Sequence, residues 1–270
     1  VGLLARELMR GRIAVAVIAA IGLLFLGVPV FVILIRGSRA TSAMPGVAEA
    51  LALSIITTAF TALLTVIFGT PLAYVFARWR FPLKRLLNLL IELPIILPPA
   101  VAGLALLATF GRRGVFGSLL SSIDVSLPFT TAAVVLAQTF VSAPFYIRAA
   151  LVGFQSVPPE IEDAARVDGA AGLPLFLYVS LPLARRALGA GLILSWARAL
   201  GEFGATILFA GSLQGRTQTM PLLIYNVLER DIDAALWTGL ILVVVALIAL
   251  SISQWLARKA NDEDLLQGSG

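Results

Sequence analysis

An all-α membrane protein of about six transmembrane helices is the architecture this chain predicts, and three observations carry that expectation. Of its 270 residues, 59% are hydrophobic and only 13% charged, whereas soluble domains are near half apolar and about one-quarter charged. The apolar residues fall into runs of the length that crosses a hydrocarbon core, about 20 residues. The basic residues cluster beside those runs, as orientation in a bilayer requires.

Taken in chain order, the runs lie near 13 to 35, 51 to 77, 86 to 110, 129 to 153, 188 to 210 and 236 to 257. The first is long enough to span and is not followed by a small-residue cleavage pattern, so it reads as a retained helix and not a signal peptide. The second carries Thr57, Thr58, Thr61 and Thr65. Their hydroxyls are candidate donors to an anion, with Thr57 and Thr61 foremost, although hydroxyls in membrane helices also bond to their own backbone. Pro94, Pro98 and Pro99 interrupt the third run, and Gln138 and Pro144 sit within the fourth. Such residues kink packed helices or mark a cavity whose walls satisfy the freed backbone groups; Pro98 and Pro99 are therefore candidates for a pathway or gate.

In the fifth run Gly189, Ala190 and Gly191 suit close helix packing, and Ser195 and Thr206 add hydroxyls. Arg198 and Glu202 stand at i and i+4 inside the same run. A charge at the centre of a membrane helix costs about 2.5–3.5 kcal/mol on insertion scales, so the two are expected to neutralise each other as a structural or gating pair before contacting substrate. Arg148, near the end of the fourth run, is expected to snorkel. The polar tail at 261 to 270 gives no expectation of an added regulatory domain.

Six spans place both termini on one side. Arg6, Arg10, Arg12, Arg78, Arg80, Lys84, Arg85, Arg166, Arg185, Arg186, Arg258 and Lys259 share that side, against Arg36, Arg39, Arg112, Arg113, Arg216 and Arg230 on the other. The richer side is expected to be cytoplasmic. The net charge of +5 is thereby assigned to orientation, and no nucleic-acid partner is expected. The absence of Cys and His removes disulfides, thiolate nucleophiles, His metal ligands and His general bases.

The longest connection, about 154 to 187, belongs to the cytoplasmic side and reads as a folded element. Pro158 and Pro159 suit a first helical turn, where missing amide hydrogens do no harm, and Glu160, Glu162 and Asp163 complement the positive end of the dipole. Glu162 and Arg166 are spaced i, i+4, Ala164 and Ala165 give a low-profile surface, and Gly169 is placed to end the helix in a left-handed conformation. A small-faced, capped helix of this kind lets another protein approach closely.

The same loop resembles the signature of permease subunits of binding-protein-dependent ABC importers: Glu-Ala-Ala, three residues, Gly, nine residues, Ile, one residue, Leu-Pro. Here Asp163, Ala164 and Ala165 precede Gly169 by that spacing, and Val179, Ser180, Leu181 and Pro182 follow after nine residues. Asp replaces Glu and Val replaces Ile, each keeping charge or shape. The resemblance implies a type I ABC importer permease fold, one permease domain over 1–270, and a coupling helix that docks on an ATP-binding subunit through Glu162, Asp163, Ala164, Ala165, Arg166, Asp168, Gly169, Leu181 and Pro182. It implies a second permease copy, most simply a homodimer, two ATP-binding subunits, an extracytoplasmic substrate-binding protein, and placement in the inner membrane. The chain has no G-x-x-x-x-G-K-[ST] loop to cradle ATP phosphates. No cofactor is expected on it, ATP and Mg belong to the partner subunit, and the chain is expected to be a translocation subunit and not an enzyme.

The stretch from Trp196 to Leu236 resembles molybdate permeases in particular, through Arg198, Gly201, Glu202, Phe203, Gly204 and Ala205, then Gly215, Arg216, Thr217, Gln218, Thr219 and Pro221. The run from Glu92 to Leu107 resembles the same group. The resemblance implies import of a tetrahedral oxyanion, molybdate or tungstate, with a sulfate or thiosulfate permease as the alternative. An ion-coupled secondary transporter would use acidic residues in the spans, but a long capped cytoplasmic helix is not needed for that. A membrane-embedded enzyme would need convergent catalytic groups, whereas Glu92, Arg198 and Glu202 are scattered.

Overall fold

A computed structural model describes residues 2–39 and 45–267. Val1 and Gly268 to Gly270 lie outside the described residues, as do the side chains of Arg6, Arg10, Arg258 and Lys259 on which part of the orientation argument rests.

Among the described residues the regular structure is all helical. The helices are α1 (Gly2–Arg39), α2 (Val47–Arg78), α3 (Lys84–Ile96), α4 (Pro99–Phe110), α5 (Gly117–Ser122), α6 (Thr131–Gln155), α7 (Pro159–Val167), α8 (Leu173–Leu175), α9 (Leu181–Leu200), α10 (Gly204–Phe209), α11 (Met220–Leu228) and α12 (Ile232–Gln267). Five are long and apolar enough to cross a membrane, and six spans result when α3 and α4 count as one broken span. The polar tail is helical as far as Gln267.

Two expected spans change shape. The third breaks between Ile96 and Pro99, its two halves turning by 117°, because Pro98 and Pro99 together remove two amide donors and hold Leu97 and Pro98 extended. The fifth begins earlier and ends earlier than 188 to 210: its apolar helical run is Leu173–Leu200. After the short α8 comes a π-helical turn, Phe176–Ser180, from which the Leu181 amide reaches back to the Phe176 carbonyl. Pro182 has no amide to give to the preceding turn, and a widened turn accommodates its ring. Thus the second half of the 154-to-187 connection is the start of a span.

The chain divides into two compact units. One contains, of the described residues, 2–39, Pro45 and 224–244. Within it Arg36 Nη2 donates to Asp233 Oδ1 at 3.0 Å, and a Cβ at Gly37 would lie 2.9 Å from the Leu236 carbonyl oxygen.

The other contains residues 46–223 and 245–267, and α6 runs through its centre. Thr61 meets Gln138 and Thr70 meets Tyr146, so α2 and α6 climb in parallel. Gly153 faces Ala187 while Gly191 faces Ala149, so α9 runs antiparallel to α6. A Cβ on Gly153 or Gly191 would stand 2.5 or 2.6 Å from those alanine methyls; of the small residues expected to permit close packing, Gly191 does so and Gly189 has open space around it. One half of α6 packs with α4 and α10 through Ala102, Leu106, Val134, Ala137, Ala205 and Phe209. The other packs with α2 and α9 through Ala73, Tyr146, Ala150, Phe154, Ala184 and Leu188.

The sidedness of α2 is inverted relative to a soluble helix. Ser54, Thr57, Thr58, Thr61 and Thr65 are buried, while Ile55, Ile56, Phe60, Leu63, Ile67 and Phe68 are exposed. Lipid is as apolar as these side chains, so nothing drives them inward, and small or polar residues take the helix–helix contacts.

Candidate coupling element and helix-break junction

The segment around α7 is built by its caps. Pro158 precedes the helix and Pro159 opens it, and the chain leaves through Gly169 at φ 93°. The Ala170 amide bonds to the Ala165 carbonyl at 2.9 Å and the Gly169 amide to the Arg166 carbonyl at 3.1 Å. This pair of bonds is the Schellman ending, as the position of Gly169 predicts. Asp163, Ala164, Arg166 and Asp168 are exposed and Ala165 is partly so; Ile161 and Val167 are exposed as well. The outward side of α7 is thus short side chains flanked by two apolar residues.

Its inward side differs from expectation. Glu162 is 2% exposed and is no solvated acid. Its Oε1 accepts from Arg78 Nε at 2.9 Å, Arg78 Nη2 at 2.7 Å and Ser180 Oγ at 2.8 Å. Arg78 Nη2 also donates to the Val157 carbonyl at 3.2 Å. Arg166 stands 3.6 Å from Oε2 and bonds to Asp163 Oδ1. One carboxylate therefore ties together the last turn of α2, α7 and the π-helical turn that leads into α9. In the sequence Arg78 marks only topology and Ser180 only a spacer of the motif; the one signal for their meeting at Glu162 is a basic residue closing a span opposite an acid-rich loop. Leu181 and Pro182 lie apart from α7, in the first turn of α9.

The second feature is the meeting of two helix breaks. Gly204, which opens α10, packs on Pro99, which opens α4: a Cβ on Gly204 would lie 2.5 Å from Pro99 Cβ. One turn further, a Cβ on Gly103 would lie 2.7 Å from the Ala205 carbonyl oxygen. Beside this contact Arg198 Nη1 and Glu202 Oε2 pair at 2.7 Å, as their spacing predicts. Glu202 is 1% exposed, and its Oε1 accepts from the Ala205 amide at 2.8 Å. It is at once the counterion of Arg198 and the acceptor for an otherwise open amide at the start of α10, and the side chain of Arg198 stays partly exposed.

The remaining pathway candidates lie inside the unit. Thr57 Oγ1 bonds to the Ser54 carbonyl of its own helix at 3.3 Å, Thr61 Oγ1 to Gln138 Oε1 at 3.1 Å, and Ser195 Oγ to the Ser142 carbonyl at 2.9 Å; all three are buried. Thr65 and Thr206 are buried too. Arg148 does not simply snorkel, because it forms an ion pair with Glu92 of α3. That pair sets α3 against the second half of α6, while Ala102 and Leu106 of α4 belong to the core cluster with Val134 and Ala137 of its first half. No cluster of carboxylates with metal-binding geometry occurs among the described residues.

The comparisons with known proteins agree with this architecture. The chain is 43% identical over 236 residues to the molybdenum transport system permease protein ModB of Mycobacterium tuberculosis, covering 86% of this chain and 89% of that protein. It is 37% identical over 185 residues to the sulfate transport system permease protein CysT of Salmonella typhimurium, covering 68% and 67%. In fold it resembles a chain in the crystal structure of a bacterial ABC transporter involved in the import of alginate, with a TM-score of 0.76 at 16% identity over 95% of this chain and 98% of that one. Residues 67–262 match the family of binding-protein-dependent transport system inner membrane components, and with such relatives over most of its length the chain belongs to that family.

Proposed function

We propose that this chain is the transmembrane subunit of an ATP-driven importer that moves a tetrahedral oxyanion, molybdate or tungstate, into the cytoplasm. The observation that carries the substrate is the 43% identity over 236 residues with a molybdenum permease. The 37% identity with a sulfate permease makes sulfate the second reading. The whole of 1–270 acts as one permease domain, paired with a second copy of itself, two ATP-binding subunits that hold ATP and Mg, and an extracytoplasmic binding protein. Both termini are cytoplasmic by the distribution of Lys and Arg.

The coupling step is assigned to α7. Its exposed side, with Asp163, Ala164 and Ala165, is low enough to enter a groove of the ATP-binding subunit. Its buried side is bonded through Glu162 to Arg78 and Ser180, so displacement of α7 is passed to α2 and α9 together. The gate is assigned to the junction of the two helix breaks, with Pro98, Pro99, Arg198 and Glu202. Thr57, Thr61 and Ser195 already hold protein partners, which supports a packing role for them over direct contact with the anion.

The test is reconstitution of the chain with its ATP-binding subunit and binding protein in liposomes, measuring ATP-dependent uptake of molybdate, tungstate and sulfate. Selective molybdate or tungstate uptake is expected. Preferential sulfate uptake replaces the substrate and keeps the importer, and uptake that persists without ATP overturns the mechanism.

A further inference from the structure

The connection from α2 to α3 and the facing end of α6 border an open cleft of about 620 Å³. Phe76, Phe81 and Leu151 form its apolar walls, and Arg80, Lys84 and Arg85 stand around it. The Phe76 and Phe81 rings pack edge to face, with centroids 5.3 Å apart. We propose that this cleft binds the phosphate-bearing headgroup of an anionic phospholipid at the membrane surface, with the acyl chains lying along α3.

Four observations support that occupant. Among the described residues none of the three cations is held in an ion pair; Lys84 Nζ donates once, to the Trp79 carbonyl at 2.9 Å, and an ammonium has two donors more. The start of α3 has no side-chain cap, so its first amides add positive potential at the same place. Leu86, Leu89, Leu90 and Leu93 of α3 are exposed, which offers acyl chains a surface continuous with the cleft. Trp79, beside the cations, is 58% exposed, in keeping with an aromatic residue at headgroup level. A free phosphate would use the cationic rim alone, whereas an amphiphile uses both the rim and the apolar walls. Basic pockets between membrane helices recognise anionic headgroups by this combination of charge and apolar surface. The site is separate from α7 and from the helix-break junction, and it does not depend on which anion is transported.

The experiment uses the full chain in lipid nanodiscs with Trp196, Trp237 and Trp255 replaced by Phe, so that Trp79 is the only fluorophore of its kind. Brominated phosphatidylglycerol and brominated phosphatidylcholine are compared as quenchers at equal, low mole fraction in a phosphatidylcholine background. Several-fold stronger quenching by phosphatidylglycerol is expected. The preference falls to parity in Arg80→Gln/Lys84→Gln/Arg85→Gln and persists in Arg112→Gln/Arg113→Gln, which removes the same kind of charge elsewhere. The exposed single change Arg85→Gln gives an intermediate preference, and it decides the matter if the triple variant does not insert. Equal quenching by the two lipids in the parent protein, or equal loss in both multiple variants, overturns the site. Loss of the preference on adding millimolar inorganic phosphate marks a small-anion site and overturns the lipid; its retention supports the lipid.

Discussion

Arg78, in the last turn of α2, donates from both Nε and Nη2 to one oxygen of Glu162, in the first turn of α7, at 2.9 and 2.7 Å. The carboxylate is 2% exposed and the guanidinium side chain 16%. Removing one partner of such a pair strands a buried charge, which costs about 3–5 kcal/mol, whereas replacing both with apolar residues is often near neutral. Arg78→Met is therefore expected to destabilise strongly and Arg78→Met/Glu162→Met to recover much of the loss, measured by thermal unfolding of the detergent-solubilised chain. If the pair also transmits movement of α7, the double variant hydrolyses ATP with its partner subunit but imports little anion per ATP.

The Arg198–Glu202 pair behaves differently when exchanged. Glu202 also accepts the Ala205 amide, which an arginine at that position cannot do. Swapping the two residues is expected to fall short of rescue even though it preserves opposite charges. Glu202→Gln keeps an acceptor and is expected to be milder than Glu202→Ala, which leaves a buried donor unpaired at a cost of about 1–3 kcal/mol. Comparing melting temperatures of the two variants decides this.

Changes on the outward side of α7 have the opposite profile. The Asp163–Arg166 pair is exposed, and such pairs contribute about 0–1 kcal/mol. Asp163→Lys and Ala164→Trp are expected to leave insertion and thermal stability nearly unchanged while reducing co-purification with the ATP-binding subunit. Unchanged co-purification would assign the coupling surface elsewhere.

At the helix-break junction there is no room for even one methyl. A Cβ at Gly103 would press on the Ala205 backbone at 2.7 Å and at Gly204 on Pro99 at 2.5 Å. Gly103→Ala and Gly204→Ala are each expected to cost about 1–3 kcal/mol through overpacking. Gly189→Ala, with open space around its position, is the control and is expected to be silent in the same melting experiment.

Much of this was legible from local chemistry. The spans follow from apolar runs, the ends of α7 from Pro158, Pro159 and Gly169, and the Arg198–Glu202 pair from i, i+4 spacing, because in each case the interacting groups are close along the chain. The sharp break at Pro98 and Pro99 was legible as an interruption but not as a 117° turn, since two prolines permit several directions and the packing of α4 on α10 selects one. The early start of the fifth span was missed because the π-helical turn ahead of Pro182 keeps helical a stretch that reads as loop. The burial of Glu162 was missed because its partner lies 84 residues away, and an acid near a helix start looks the same whether it faces water or arginine.

Residue order alone therefore settled the membrane class of the chain, the approximate positions of its spans other than the fifth, and the capped helix between the fourth and fifth, all products of composition and short-range bonding. Packing settled which face of α2 turns inward, which arginine holds Glu162, and that the break of the third span meets the start of α10 at Pro99 and Gly204. In lipid the apolar residues have no preferred direction, so side-chain pattern by itself does not say which surfaces touch. The answer comes from small residues and buried polar groups finding partners far along the chain.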